Sequence, residues 1–468
     1  NKAIDAFTTI VERNWASADY AQYQKGIILG LQGRDGDKST TMNYLIMKYP
    51  TSPYAEQAYY EIGETELGTG DMAAARTAYQ NLVNKYPNSN LLPKAYLKLA
   101  VIDYNTGKKE LALEDYKAVV RKYPNTTQEK EALAALKDLY VEVGRPEEYF
   151  DFVKKNSNVV ISTSEQDSLT YQAANNVYES GDCAKATTMF ASYLSKFPNG
   201  FFALEVHWKK SECHIKAKEL NAALAELEEV AKDKFSKYYE RALVKASGIA
   251  YYDIKDYTKA LPLYRQLYVA GTTSQNRYSA QLGMFRSAVQ LKLQDETIEY
   301  ADQLINGVNV QEQDKQEAYY EKGKAYYAKG NKETAFVSFN HVAELPVSER
   351  CVESKYMVAR ILNEQGNYKA SMDTCFKIKS KYASYEYWIV KTFILIADNY
   401  YAEGNTFQAK STLESIVENY DGDATVVNEA KTKLEKIRTD ELNKTKIMTI
   451  APSDTLIMES DSILIDNN

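Results

Sequence analysis

Three stretches of this 468-residue chain combine residue types that do chemistry elsewhere. Gly30 to Thr40 (GLQGRDGDKST) has the glycines, lysine and hydroxyls of a phosphate-cradling loop. In that motif the lysine directly follows the last glycine and a strand feeds the loop, so that backbone N–H groups and the ammonium converge on one phosphate. Here Asp37 separates Gly36 from Lys38 and no strand-like run precedes them, so the segment reads as a polar turn between helices. His207, Cys213 and His214 are metal-ligating types on one helical stretch. His207 and His214 fall two turns apart, roughly 10 Å along the axis, too far to hold one ion without further ligands. The carboxylate pairs Glu228/Glu229 and Asp421/Asp423 fall on solvated faces or turns, and nothing sets them across a cleft as glycoside hydrolysis requires. With His341 the only other histidine, and no HExxH or serine elbow, catalysis has little to stand on; no metal or cofactor is expected.

The elements that would position such residues are legible in the glycines. Gly33, Gly70, Gly107, Gly144 and Gly181 fall 37 residues apart, and Pro50, Pro87, Pro124 and Pro198 keep that spacing with one period skipped. Later loops hold the phase at Lys218, Lys255, near Leu293, and at Gly330, Gly366 and Gly404. Within a period the pattern reads as two helices. In the second, Ala58, Ile62 and Leu67 mark one helical face, which ends at Gly68, Gly70 and Asp71. Glycine there supplies the left-handed cap, and the aspartate can cap the next helix. That helix, from about Met72 to Tyr86, carries Ala75, Tyr79, Leu82 and Val83 before Pro87 stops it. Small residues recur in pairs where the two backbones must approach: Gly63 with Ala75, Ala100 with Ala112, Ala174 with Ala186, Gly323 with Ala335.

The small residue, the turn glycine, the alanine, the aromatic and the proline resemble the tetratricopeptide repeat. They are Gly63, Gly70, Ala75, Tyr79 and Pro87 in one period, and Ala100, Gly107, Ala112, Tyr116 and Pro124 in the next. Gly323, Gly330, Ala335 and Phe339 repeat them later. The resemblance implies an all-α, right-handed α-α superhelical solenoid of antiparallel helix pairs, with a concave face lined by each pair's first helix. This sequence departs from the family in its period of about 37, the additional residues falling after the proline, where they lengthen the loop or the following helix. The segments KYPTS (Lys48 to Ser52), KYPNS (Lys85 to Ser89), KYPNT (Lys122 to Thr126) and KFPNG (Lys196 to Gly200) also resemble repeats of bacterial envelope tetratricopeptide proteins, including outer-membrane-assembly and Tol-Pal-associated types. That likeness implies the cell envelope or periplasm, with the cytoplasm as the alternative.

The expected organisation is a lone second-type helix in 1–16, eleven tandem pairs in 17–423, a charged capping helix in 424–443 and a tail in 444–468. Ala3, Phe7 and Ile10 match the second-helix register without a first helix before them, which implies more repeats upstream. The tail repeats a short motif, Ser453 to Ile457 and Asp461 to Ile465, and reads either as disordered or as docked on the array. Glycine and proline are sparse, which favours long helices over sandwiches and barrels. A net charge of −7 spread over both signs leaves no basic stripe, so nucleic acid is not an expected partner. No stretch approaches the roughly 18 apolar residues of a membrane span. Cys183, Cys213, Cys351 and Cys375 lie far apart inside helical patterns; they make no disulfide framework and leave the redox compartment open.

Tyrosine is the compositional outlier, 39 against 14 phenylalanines, and its amphipathic ring suits half-buried interfaces and grooves. The family register puts two aromatic rows on the concave face. The upstream row holds Tyr60, Tyr171, Trp208, Tyr320 and Tyr356; the downstream row holds Tyr104, Tyr178, Tyr252, Tyr327 and Tyr401. Glu64, Asn175, Glu212, Lys324, Arg360 and Asp398 lie between the rows. Aromatics interleaved with single charges suit a protein- or peptide-binding groove, while the same rings would equally serve packing of repeat on repeat. The expected function is a non-catalytic scaffold or adaptor that holds an extended protein partner. The alternatives are a structural spacer whose activity lies upstream and a glycan- or peptidoglycan-binding module.

Overall fold

A computed structural model describes the backbone of residues 2–346 and 348–450 and the side chains as far as residue 443. The described residues form 24 α-helices and one π-helical turn, and no strand. The result is an all-α superhelical repeat fold. The chain divides into two compact units, Asn1–Tyr238 and Tyr239–Asn468. The even period of the sequence gives no sign of that division.

In the first unit a single helix, Lys2–Glu12, precedes pairs that run from Ala18–Leu31 with Asp35–Lys48 to Ala203–Lys216 with Leu220–Val230. In the second, the pairs run from Tyr239–Gly248 with Tyr257–Ala270 to Glu386–Ala402 with Thr406–Asn419. The long period is accommodated in two ways. First helices of 14 residues, such as Leu92–Asn105, follow a six-residue loop (86–91), whereas Thr163–Glu179, Ser274–Gln290 and Glu312–Ala328 extend to 17. The last helix, Ala424–Ile450, continues past the expected boundary at 443, because its helical pattern runs on without a glycine or proline until Pro452. The repeated tail motifs lie outside the described residues.

Each turn between paired helices uses one residue in the left-handed region. Gly70 takes φ +86°, and where glycine is absent lysine takes its place, at Lys218 (φ 61°), Lys255 (φ 60°) and Lys292 (φ 56°). Asp71 then accepts a hydrogen bond from the Ala74 N–H at 2.9 Å, capping the second helix. The close approach predicted from the small residues is real: a Cβ added to Gly63 would stand 2.5 Å from the Tyr79 ring, and one on Gly323 would stand 3.0 Å from Phe339. Ala75, Tyr79 and Leu82 are fully buried beside them, and the same register buries Ala186, Phe190 and Tyr193.

The Lys-Tyr-Pro segments close the two helices of a pair on each other. Tyr86 packs on Tyr59 with ring centroids 6.1 Å apart, and Lys85 donates to the Tyr59 hydroxyl at 2.7 Å. One period later Tyr123 packs on Tyr96 and Lys122 donates to its hydroxyl. Each contact joins the end of a second helix to the first helix of its own pair.

Candidate functional site

The upstream aromatic row is mostly consumed by packing. Trp208, Tyr320 and Tyr356, expected on the groove, are only 3%, 7% and 5% exposed. Trp208 stacks on Tyr238 at 5.3 Å, Tyr320 meets Phe339 edge to face, and Tyr356 lies against Trp388. Their ring faces serve the fold, because each lies where a neighbouring helix closes. Tyr60 and Tyr171 are half-buried; Tyr60 meets Tyr79 edge to face, and Tyr171 lies parallel to Phe202 with centroids 4.0 Å apart.

The downstream row does something the sequence reading did not anticipate. Four of its tyrosines donate a hydrogen bond to a carboxylate 34 to 39 residues later, on the first helix of the next repeat or on the terminal helix. The bonds are Tyr104 to Glu142 (3.0 Å), Tyr178 to Glu212 (2.9 Å), Tyr327 to Glu364 (2.6 Å) and Tyr401 to Asp440 (2.6 Å). Burial, reinforced by the Glu212 carboxylate, pushes the Tyr178 hydroxyl up to about 12, so it remains a donor at neutral pH. Lys332 and Arg360 also contact Glu364, at 2.9 and 3.1 Å. The row is a set of ties between consecutive repeats. Its signal in the sequence was an acidic residue one period on, which a search for exposed aromatics passes over.

Tyr252 is the exception. It is 64% exposed, and it lies on the π-helical turn Ile249–Ile254, where the Asp256 N–H reaches back to the Ala250 carbonyl at 2.9 Å. Such turns interrupt the regular ladder and are common at functional sites. The residue in register with Glu212, two periods on, is Arg286. A guanidinium cannot accept the tyrosine proton, and Gln290 stands in the register of Glu142 and Glu364, so neither position offers Tyr252 a carboxylate. Arg286 instead bonds forward to Asp314 at 3.0 Å and to Glu317 at 2.7 Å. Burial by itself would lower the Arg286 pKa; the bond and charge of Glu317 and the charge of Asp314 override it and raise it. Arg350 stands 3.8 Å from Glu317 and over the Tyr320 ring.

Around this break the second unit has a cavity of about 680 Å³, lined by Tyr252, Tyr264, Tyr278, Arg286, Glu317 and Arg350 among others. Gln275, Asn276, Gln311 and Gln313 add amides to its wall. The lining offers hydrogen-bond donors and acceptors, both signs of charge and one exposed aromatic ring.

The stretches tested for catalysis have structural partners. Gly33 turns the chain between two helices, and Lys38 pairs with Glu61 at 2.6 Å. His207 lies 2.5 Å from Glu226, and His214 lies 2.6 Å from Glu219. Cys213 is bonded to Cys183, with Cα atoms 5.3 Å apart. The expectation that the cysteines make no disulfide is therefore corrected. Cys183 opens a second helix and Cys213 lies near the end of the next first helix, so helix packing joins positions 30 residues apart in sequence. Among the described residues no group of three or more His, Cys, Asp or Glu is placed to hold a metal ion.

Sequence profiles agree with this architecture. One for a tetratricopeptide repeat-like domain matches residues 9–146, and two for the tetratricopeptide repeat match 316–346 and 392–423. The chain is a tetratricopeptide repeat protein. Among solved structures, this repeat protein is similar to the P58(IPK) tetratricopeptide domain, at 18% identity over 90% of this chain and 99% of that one, with a TM-score of 0.25. It is similar also to yeast Tom70, at 12% identity over 92% and 99%, with a TM-score of 0.31. A tetratricopeptide repeat protein of Parabacteroides merdae matches at 15% identity over 57% and 98%, with a TM-score of 0.27. At these values the likeness concerns the type of fold alone. No curated protein matches the sequence. The fold is one that serves protein–protein interaction.

Proposed function

We propose that this tetratricopeptide repeat protein is a non-catalytic adaptor that holds an extended segment of a protein partner on the inner face of its second unit, around Tyr252. The observation that carries this reading is the untied tyrosine: four of the downstream-row residues are spent joining repeats, while Tyr252 stays 64% exposed beside a polar cavity. A solenoid offers a long surface to extended partners, and binding energy concentrates on a few aromatic and arginine anchors. Tyr252 and Arg350 are those anchors here. The glycan alternative has less support. The parallel ring pairs Tyr171–Phe202 and Trp208–Tyr238 stack on each other, which occupies the faces a sugar would need.

The proposed compartment is an oxidising one, such as the bacterial cell envelope or periplasm. The Cys183–Cys213 disulfide supports that over the cytoplasm, where thiols are kept reduced. The test is retention of proteins from an envelope extract on the parent chain and on a Tyr252→Ala, Arg350→Ala variant with unchanged circular dichroism. A protein held by the parent and lost by the variant supports the reading. Equal retention by both sinks it.

A further inference from the structure

Independently of that reading, we propose that the inter-repeat loop edge of the first unit docks on an anionic lipid bilayer. Three consecutive inter-repeat loops, 157–162, 197–202 and 231–238, each push a large apolar side chain into water. Val160 is 89% exposed, Phe201 88% and Phe235 99%. One exposed apolar residue is ordinary, but a run of them along one edge marks an interaction surface.

Repeat architecture does not require them. In register with Phe201 the earlier repeats carry Pro53, Asn90 and Thr127. Nor are these loops scattered. The Phe201 N–H donates to Asp167 at 2.8 Å, which holds loop 197–202 beside the helix that loop 157–162 feeds. Lys237 lies 3.9 Å from Glu205, which holds loop 231–238 beside the helix that loop 197–202 feeds. The three loops therefore line one edge in order.

Charge identifies the partner. With their flanking residues, segments 154–162, 196–202 and 231–238 contain six lysines and one aspartate, in a chain whose net charge is −7. Lys154, Lys155, Lys196, Lys232, Lys234 and Lys237 are all exposed. The aspartate, Asp233, accepts the Phe235 N–H at 2.9 Å and so shapes the loop tip. Beside Val159 and Val160 lies a cavity of about 650 Å³ lined by Phe150, Val153 and Ile161 together with Lys154 and Lys196; Glu147, 3.9 Å from Lys196, and Asp151 also line it. Protein interfaces deplete lysine, whereas interfacial membrane docking combines it with inserted apolar side chains. Phenylalanine and valine would enter the acyl boundary while the long lysine stems keep their ammonium groups at the phosphates.

The test is co-sedimentation of the full chain with vesicles of phosphatidylcholine alone and of equal parts phosphatidylcholine and phosphatidylglycerol. The parent is expected to sediment with the mixed vesicles only. Phe201→Ser with Phe235→Ser should weaken that partition by about tenfold or more, and so should Lys234→Glu with Lys237→Glu. Because these side chains are exposed, the variants keep the parent's circular dichroism. As a second readout, Phe235→Trp should shift its emission to shorter wavelength on mixed vesicles. A parent that stays in solution with anionic vesicles overturns the proposal and leaves the edge to a protein partner. Serine variants that sediment like the parent overturn it equally.

Discussion

Tyr178 and Tyr252 occupy the same register two repeats apart, yet one closes a junction and the other opens a cavity. At the first, Tyr178 bonds Glu212, Phe190 supports its ring at 6.1 Å, and the Cys183–Cys213 disulfide spans the same two repeats. At the second, Arg286 stands where Glu212 would, the helix turns π, and the tyrosine faces solvent. The loss of both acidic positions one period on, to Arg286 and Gln290, separates a structural tyrosine from an available one; Tyr327 keeps its tie although Arg360 shares the register of Arg286, because Glu364 accepts instead. In a repeat protein the role of a residue is thus set by its neighbour in the next repeat as much as by its own type.

The largest effects are expected at the closed junction. Phe190 is fully buried, so Phe190→Ala should destabilise the first unit by about 4 kcal/mol, read as a drop in its thermal or denaturant midpoint. Reducing the Cys183–Cys213 bridge, or replacing both cysteines by serine, should cost about 3 kcal/mol by the same measurement. At the open site, Arg286→Ala removes the cation shared by Asp314 and Glu317 and leaves them only the Tyr278 hydroxyl and the more distant Arg350; the expected cost to the second unit is about 2 kcal/mol.

Removing only hydroxyls sharpens the contrast. Tyr178→Phe should lose about 1 kcal/mol, whereas Tyr252→Phe should stay within about 0.5 kcal/mol, because only the first breaks a bond between repeats. Equal costs would show that the tie is not what distinguishes them. The smallest effect is alkaline. The Tyr178 hydroxyl is raised from 10.0 to about 12 in the fold, so the unfolded chain ionises first. Its contribution is complete below pH 10 and lost as pH rises to about 12; the Tyr178→Phe variant should lose less stability over that window in an absorbance-monitored titration.

The sequence was sufficient for the repeat and its caps because both are local. A left-handed turn, a capping aspartate and a small residue opposite an aromatic act within one period, and Gly70, Asp71 and Gly63 could be read from spacing alone. It even held the phase through turns where lysine replaced glycine. Which aromatics stay exposed was not legible. Trp208, Tyr320 and Tyr356 share a register with half-buried Tyr60 and Tyr171, and only the fit of the neighbouring helices decides their burial. The disulfide was hidden for the same reason, since Cys183 and Cys213 meet through packing across 30 residues of chain. Local chemistry determined the helix pairs; contacts one or two repeats away decided what each surface residue is free to do.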